Sequence, residues 1–163
     1  MTIRLLKILL VVCVSLNGLI YAVNNLVNWD AGVGAVGAIL SMAGHAVYAD
    51  AFAPPITSPV LHKFAFLVII GGEFAVAILA GKGAFDLWSA RSAPAAAFNE
   101  AKTWALLGCG MAILVWFGLF HVLGGAWFQM WQTDLGQGSL KDAFSFAALS
   151  GLVLLYLNQP ETS

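Results

Sequence analysis

Charge is the scarcest feature of this chain. Only 9% of its 163 residues are Asp, Glu, Lys or Arg, against about 25% in an average soluble domain. The few charges nearly cancel, at −1, so no basic field exists to attract nucleic acid. Cysteine is almost missing too. Cys13 and Cys109 both lie within apolar runs, which excludes a disulfide scaffold and casts them as small hydrophobes. There is no phosphate-cradling glycine loop ending in Lys-Ser/Thr, and no span holds a pair of carboxylates. Nothing therefore points to nucleotide hydrolysis or acid–base catalysis. What fills the chain instead is apolar: 61% hydrophobic, with a mean hydropathy of +0.89. A soluble domain of this length cannot hide so much apolar surface. The chain reads as an integral membrane protein.

A membrane span needs about 20 mostly apolar residues. Four stretches qualify, at about 5–27, 61–82, 102–124 and 140–158. Each is expected to be a helix, because lipid offers no partner to a free backbone amide or carbonyl. The N-terminus, with Arg4 and Lys7 ahead of an apolar run, looks like a secretory leader, but is expected to be a retained first span. The fifth stretch, 31–49, is rich in Gly and Ala and long enough to cross. If it does not cross, Arg4, Lys7, Lys82, Arg91 and Lys102 share one side, leaving Lys63 and Lys141 opposite. If it does cross, the 82–102 loop lands opposite Arg4 and Lys7. Only the first arrangement obeys the positive-inside rule. The expectation is thus an all-α, four-transmembrane-helix bundle forming a single domain, with both termini cytoplasmic. An extracytoplasmic interfacial helix at 31–49 joins spans 1 and 2, ended by the prolines of 53–59. The polar tail from Asn158 is expected to fray.

Glu73 is the one ionisable residue inside "LVIIGGEFAVAILAG" (67–81). A carboxyl at such depth faces the bundle interior and finds a partner. Asn17 and Ser15 on the first span sit at comparable depth, so the expectation is a neutral carboxyl acting as polar glue; the alternative is a proton relay. His62 and His121 lie on antiparallel spans at similar depth and could clasp a b-type haem, whereas His45 falls on the outer helix. Interfacial histidines bonded to headgroups or backbone are the plainer alternative. Trp127, Phe128, Met130 and Trp131 follow span 3 and are expected at its outer rim. They would form an aromatic belt, or an interface for a partner or an amphipathic ligand such as a quinone. Glycines at 32, 34 and 37 and at 71, 72, 108 and 110 suit close helix approach.

Three blocks carry a resemblance: "NNLVNWDAG…AILSM" (24–42), "IIGGEFAVAILAGKGA" (69–84) and "GGAWFQMWQTDLGQG…AF" (124–144). Through them the chain resembles a proteobacterial family of predicted small integral membrane proteins, a domain of unknown function. The resemblance implies a four-span bundle with a substantial outer loop and supplies no activity. The family pattern has His and Asp near "LSM", a Glu in the Gly-Gly block and an Arg after it. Here Ala38, Ala43, Ala126 and Ser145 stand at those positions, while Glu73 matches. The implied chain has shed polar groups from its outer face, which favours a scaffold. The leading expectation is a non-enzymatic accessory subunit that contacts lipid and packs against a larger complex of the bacterial inner membrane, respiratory or photosynthetic. It needs no cofactor. The alternatives are a b-haem or quinone-binding anchor using His62 and His121, and a proton-linked permease using Glu73.

Overall fold

The computed structural model describes residues 2–48 and 50–161. Helix is its regular structure, with no strand among these residues, and four helices are long and apolar enough to cross a membrane. They are α1 (Thr2–Val27), α3 (Pro59–Ser89), a stretch from Ala95 to Trp127, and α6 (Asp134–Asn158). The third consists of α4 (Ala95–Glu100), α5 (Thr103–Ile113) and a π-helical segment (Leu114–Trp127). A short helix, α2 (Trp29–Leu40), separates the first two spans.

The boundaries follow local chemistry. Helix α3 starts two residues earlier than the expected span because Pro59 occupies its first turn, where a missing N–H costs nothing. It runs past residue 82 to Ser89. A Lys82–Asp86 pair at 2.8 Å supports the added turns, and α3 reaches about 46 Å at 1.5 Å per residue. Helix α6 begins at Asp134 rather than 140. Thr133 caps it, its Oγ1 accepting the Gly136 amide at 3.1 Å. The helix expected over 31–49 occupies only 29–40. Met42 and Gly44 take positive φ (53° and 79°) and turn the chain away, so His45 lies in a loop rather than on a helix.

Helix α2 follows α1 after a one-residue break at Asn28, across which main-chain hydrogen bonds continue. Both run antiparallel to α3: on α1 Gly18 meets Val76, and on α2 Gly32 meets Phe66 and Gly37 meets His62. The four long helices then pack through small residues. A Cβ on Gly108 would enter the Ala80 backbone, and one on Gly83 would enter that of Ala105. In lipid the association of helices relies on such close approach rather than on hydrophobic burial. The core they enclose includes Val11, Val76, Leu87, Cys109 and Trp116, all at most 2% exposed. Both cysteines are free thiols.

The chain ends meet. Lys7 Nζ lies 2.6 Å from Glu161, so the two ends share one face of the bundle, the terminal end. The tail does not fray there. Glu161 N donates to Asn99 Oδ1 at 2.9 Å, and Asn99 Nδ2 donates to the Glu161 carbonyl at 3.1 Å. The last two positions of the expected frayed tail, 162–163, lie outside the described residues. At the opposite, loop end, the turn 129–132 is fastened to the loop after α2. Gln132 Oε1 accepts the amides of Val47 and Tyr48 at 2.9 and 3.0 Å.

Candidate functional site

The loop end encloses a cavity of about 430 Å³, within the range of small-molecule sites. Helix α2 supplies Gly32, Val36 and Ile39; α3 supplies Phe64, Phe66 and Ile69; the π-helical segment supplies Leu119, Phe120 and Leu123. The remaining wall is Phe128, Met130, Leu135 and Ser139. Asn25, from the end of α1, also lines it. Phe64, Val68, Leu123 and Leu135 are exposed on the outside of the bundle, so the cavity opens sideways, where a bilayer's acyl chains would be.

The π-helical segment helps make this space. Its i→i+5 bonding ends with the Phe128 amide on the Leu123 carbonyl at 2.9 Å. Such helices are rare, mostly single-turn and frequent at functional sites; this one covers 14 residues. The chain then reverses at Gln129, in the left-handed region (φ 51°). Met130 folds back onto Gly124, and Gly136 sits against the Met130 carbonyl. Gly124 and Gly136 are therefore requirements of a tight turn, whereas a Cβ on Gly138 would meet nothing within 4 Å.

Glu73 is 1% exposed and near the midpoint of α3. Its partner is Asn25, whose Nδ2 donates to both carboxyl oxygens at 3.0 and 2.8 Å. No other side chain is hydrogen-bonded to that carboxyl among the described residues. The expected partners, Asn17 and Ser15, do not reach it. Helical side chains lean toward their own N-terminus. On antiparallel α1 and α3, Glu73 leans toward the loop end and Asn25 leans back to meet it, while Asn17 leans away. Asn17 instead lines a groove beside α6 with Ser150 and Tyr156. Ser15 does bridge to α3, one turn lower, donating to the Ala77 carbonyl at 2.8 Å.

The other sequence-selected residues divide. His62 Nε2 donates to the Ile56 carbonyl at 2.8 Å, with its ring against Gly37. His121 bonds the Trp116 carbonyl at 3.3 Å and packs between Phe117 and Phe144. None of these partners is common to both imidazoles. Among the described residues no three His, Cys, Asp or Glu side chains converge. Of the aromatic block, Phe128 and Met130 are buried and line the cavity rather than an outer surface, because the turn at Gln129 points them inward. Trp127 stays 45% exposed against Phe52, and Trp131 packs edge-on to Tyr48. Asn25 is the site residue the sequence reading missed. The antiparallel lean of the two helices was the signal that could have found it.

No curated protein and no solved structure matched the chain. One family does match, over residues 3–160. With four candidate spans built as above, the chain belongs to the predicted small integral membrane proteins of DUF2165.

Proposed function

We propose that this protein is a non-catalytic, multi-pass protein of the bacterial inner membrane that holds a lipid-soluble molecule in its loop-end cavity. The observation that carries the reading is Asn25. It lines a mostly apolar chamber while its amide is spent on Glu73. The chamber's other polar side chain, Ser139, donates to the Leu135 carbonyl of its own helix, whereas Asn25 Oδ1 accepts nothing among the described residues and is left as an acceptor in that wall. A ligand with a long apolar body and a hydroxyl-bearing head, the chemistry of a quinol, complements that arrangement. Sidedness comes from the cations. Five of seven cluster toward the terminal end, which the positive-inside rule assigns to the cytoplasm. The experiment is fluorescence titration of purified protein with a short-chain quinol. Trp29 lies 5.3 Å from Phe66, a cavity residue, with the two rings tilted by 54°, and serves as reporter. Saturable quenching that Ala35→Phe abolishes is the expected result. Quenching unchanged in that variant sinks the reading.

A second reading, an accessory subunit of a larger complex, is favoured by three glycines. A Cβ on Gly71, Gly110 or Gly118 would meet nothing within 4 Å, so these span glycines serve no packing inside this chain. Close approach of another chain's helix would use them. Pull-down in mild detergent followed by mass spectrometry tests this. A reproducible partner released by Gly110→Leu is expected; a lone monomer counts against it.

A further inference from the structure

Among the described residues the terminal end holds more positive charge than its carboxylates answer, with Arg4, Lys7, Lys82, Arg91 and Lys102 against Asp86, Glu100 and Glu161. Glu161 serves Lys7 at 2.6 Å and Arg4 at 3.5 Å. Among the described residues neither Lys102 nor Arg91 makes an ion pair within 4.0 Å of a carboxylate. Lys102, 3% exposed, donates only to neutral oxygens, Asn99 Oδ1 and the Gln159 carbonyl, both at 2.7 Å. Arg91 spends Nη1 on the Trp88 carbonyl at 2.8 Å and stacks 4.3 Å over the Trp88 ring. Its Nε and Nη2 donate to nothing described. A buried cation without an anion is costly, and a guanidinium with two free donors on one edge is shaped for a bidentate oxyanion.

A cavity of about 660 Å³ lies beside these groups, lined by Thr2, Arg4, Arg91, Ser92, Pro94 and Glu161. Trp88, Trp104 and Phe85, each at least 40% exposed, ring the same end. Exposed aromatics of this kind mark the headgroup level of a bilayer. We propose that this cavity binds the phosphodiester of an anionic phospholipid, with the Arg91 fork on its oxygens and the Ser92 and Thr2 hydroxyls beside it. Glu161, already occupied by Lys7, leaves room for a single negative charge. The neighbouring Lys102 supplies attraction without contact.

Thermal unfolding of delipidated full-length protein in neutral detergent tests this, with added phosphatidylglycerol, phosphatidylcholine or inorganic phosphate. Phosphatidylglycerol is expected to stabilise saturably, and phosphatidylcholine, whose headgroup carries no net charge, is not. Arg91→Gln should weaken the phosphatidylglycerol midpoint about fivefold. Arg91→Lys should fall between, keeping charge but losing the fork. Lys82→Gln removes an equal charge at the same end, where Lys82 is paired with Asp86 outside the cavity, and should leave the midpoint unchanged. Equal weakening by Arg91→Gln and Lys82→Gln would reduce the effect to a diffuse surface field and overturn the site. Equal stabilisation by phosphatidylcholine overturns it as well. A matching shift from inorganic phosphate would assign the cavity to a free anion and overturn the lipid.

Discussion

The two ends of the bundle are built from opposite materials. At the terminal end, Arg4, Lys7, Lys102, Asn99 and Glu161 cross-link α1, α4, the loop after α3 and the tail, largely through side chains bonded to main-chain carbonyls. At the loop end a mostly apolar cavity is walled by phenylalanines and small residues, and among the described residues Gln132 supplies the hydrogen bonds that tie the α2 loop across, beside the Tyr48–Trp131 and Phe52–Trp127 ring contacts. The terminal end is closed by charge, the loop end by shape. Charge is directional and leaves little freedom. Apolar walls with few polar ties open at lower cost, which suits an end that must admit something.

Removing the central anion should break the terminal end most severely. Glu161→Ala takes the carboxylate away from the buried Lys7. We expect a loss of about 3 kcal/mol, the lower end for a broken buried pair because Glu161 keeps some exposure. Thermal unfolding in detergent checks this, and the loop-end cavity should keep its ligand affinity in the folded fraction. A pH series sharpens the same point. The hydrogen bond from Lys7, with the neighbouring cations, holds the Glu161 carboxyl below the usual carboxylate range. Its stabilisation is complete above the unfolded-state value of about 4.3. It fades as pH falls through the lower folded-state value. The gap in melting temperature between the natural chain and Glu161→Gln should therefore be constant from pH 7 to 5 and narrow below 4. A gap that widens on acidification contradicts the assignment.

The centre of the molecule offers the next effect and shows what the sequence could reveal. Four spans, the break near 28 and the placement of both chain ends at one end of the bundle follow from hydropathy and the distribution of Lys and Arg, because lipid imposes those constraints residue by residue. Glu73 was legible as a residue needing a partner on the first span. Its partner was not, since matching depths treats side chains as level with their Cα atoms. Phe128 and Met130 were misread for a related reason: one left-handed residue, Gln129, turns them inward, and no periodicity encodes it. The tail misled because a polar hexapeptide looks solvated until the cations that hold it are assembled. Asn25→Ala should cost about 2 kcal/mol by leaving the buried Glu73 carboxyl unsatisfied. Asn17→Ala, at the depth the sequence favoured, should cost under about 0.5 kcal/mol. Equal losses would return Asn17 to the partnership.

The smallest effect belongs to the loop end. Gln132→Ala deletes the acceptor shared by the Val47 and Tyr48 amides, and also the Gln132 Nε2 bond to Gln129 Oε1 at 2.7 Å. The Val47 and Tyr48 amides are on exposed residues and can turn to water, so the global cost should stay near or below about 1 kcal/mol. The local consequence should be larger than the global one. Hydrogen exchange at Val47 and Tyr48 should accelerate while amides within α3 and α6 keep their protection. If the loop after α2 guards the cavity, ligand should both enter and leave faster in this variant with little change in affinity, since the Asn25 acceptor and the apolar walls are untouched. Faster exchange with unaltered ligand rates would make Gln132 a surface tie with no part in access. The way in would then be the gap beside Phe64 and Leu123.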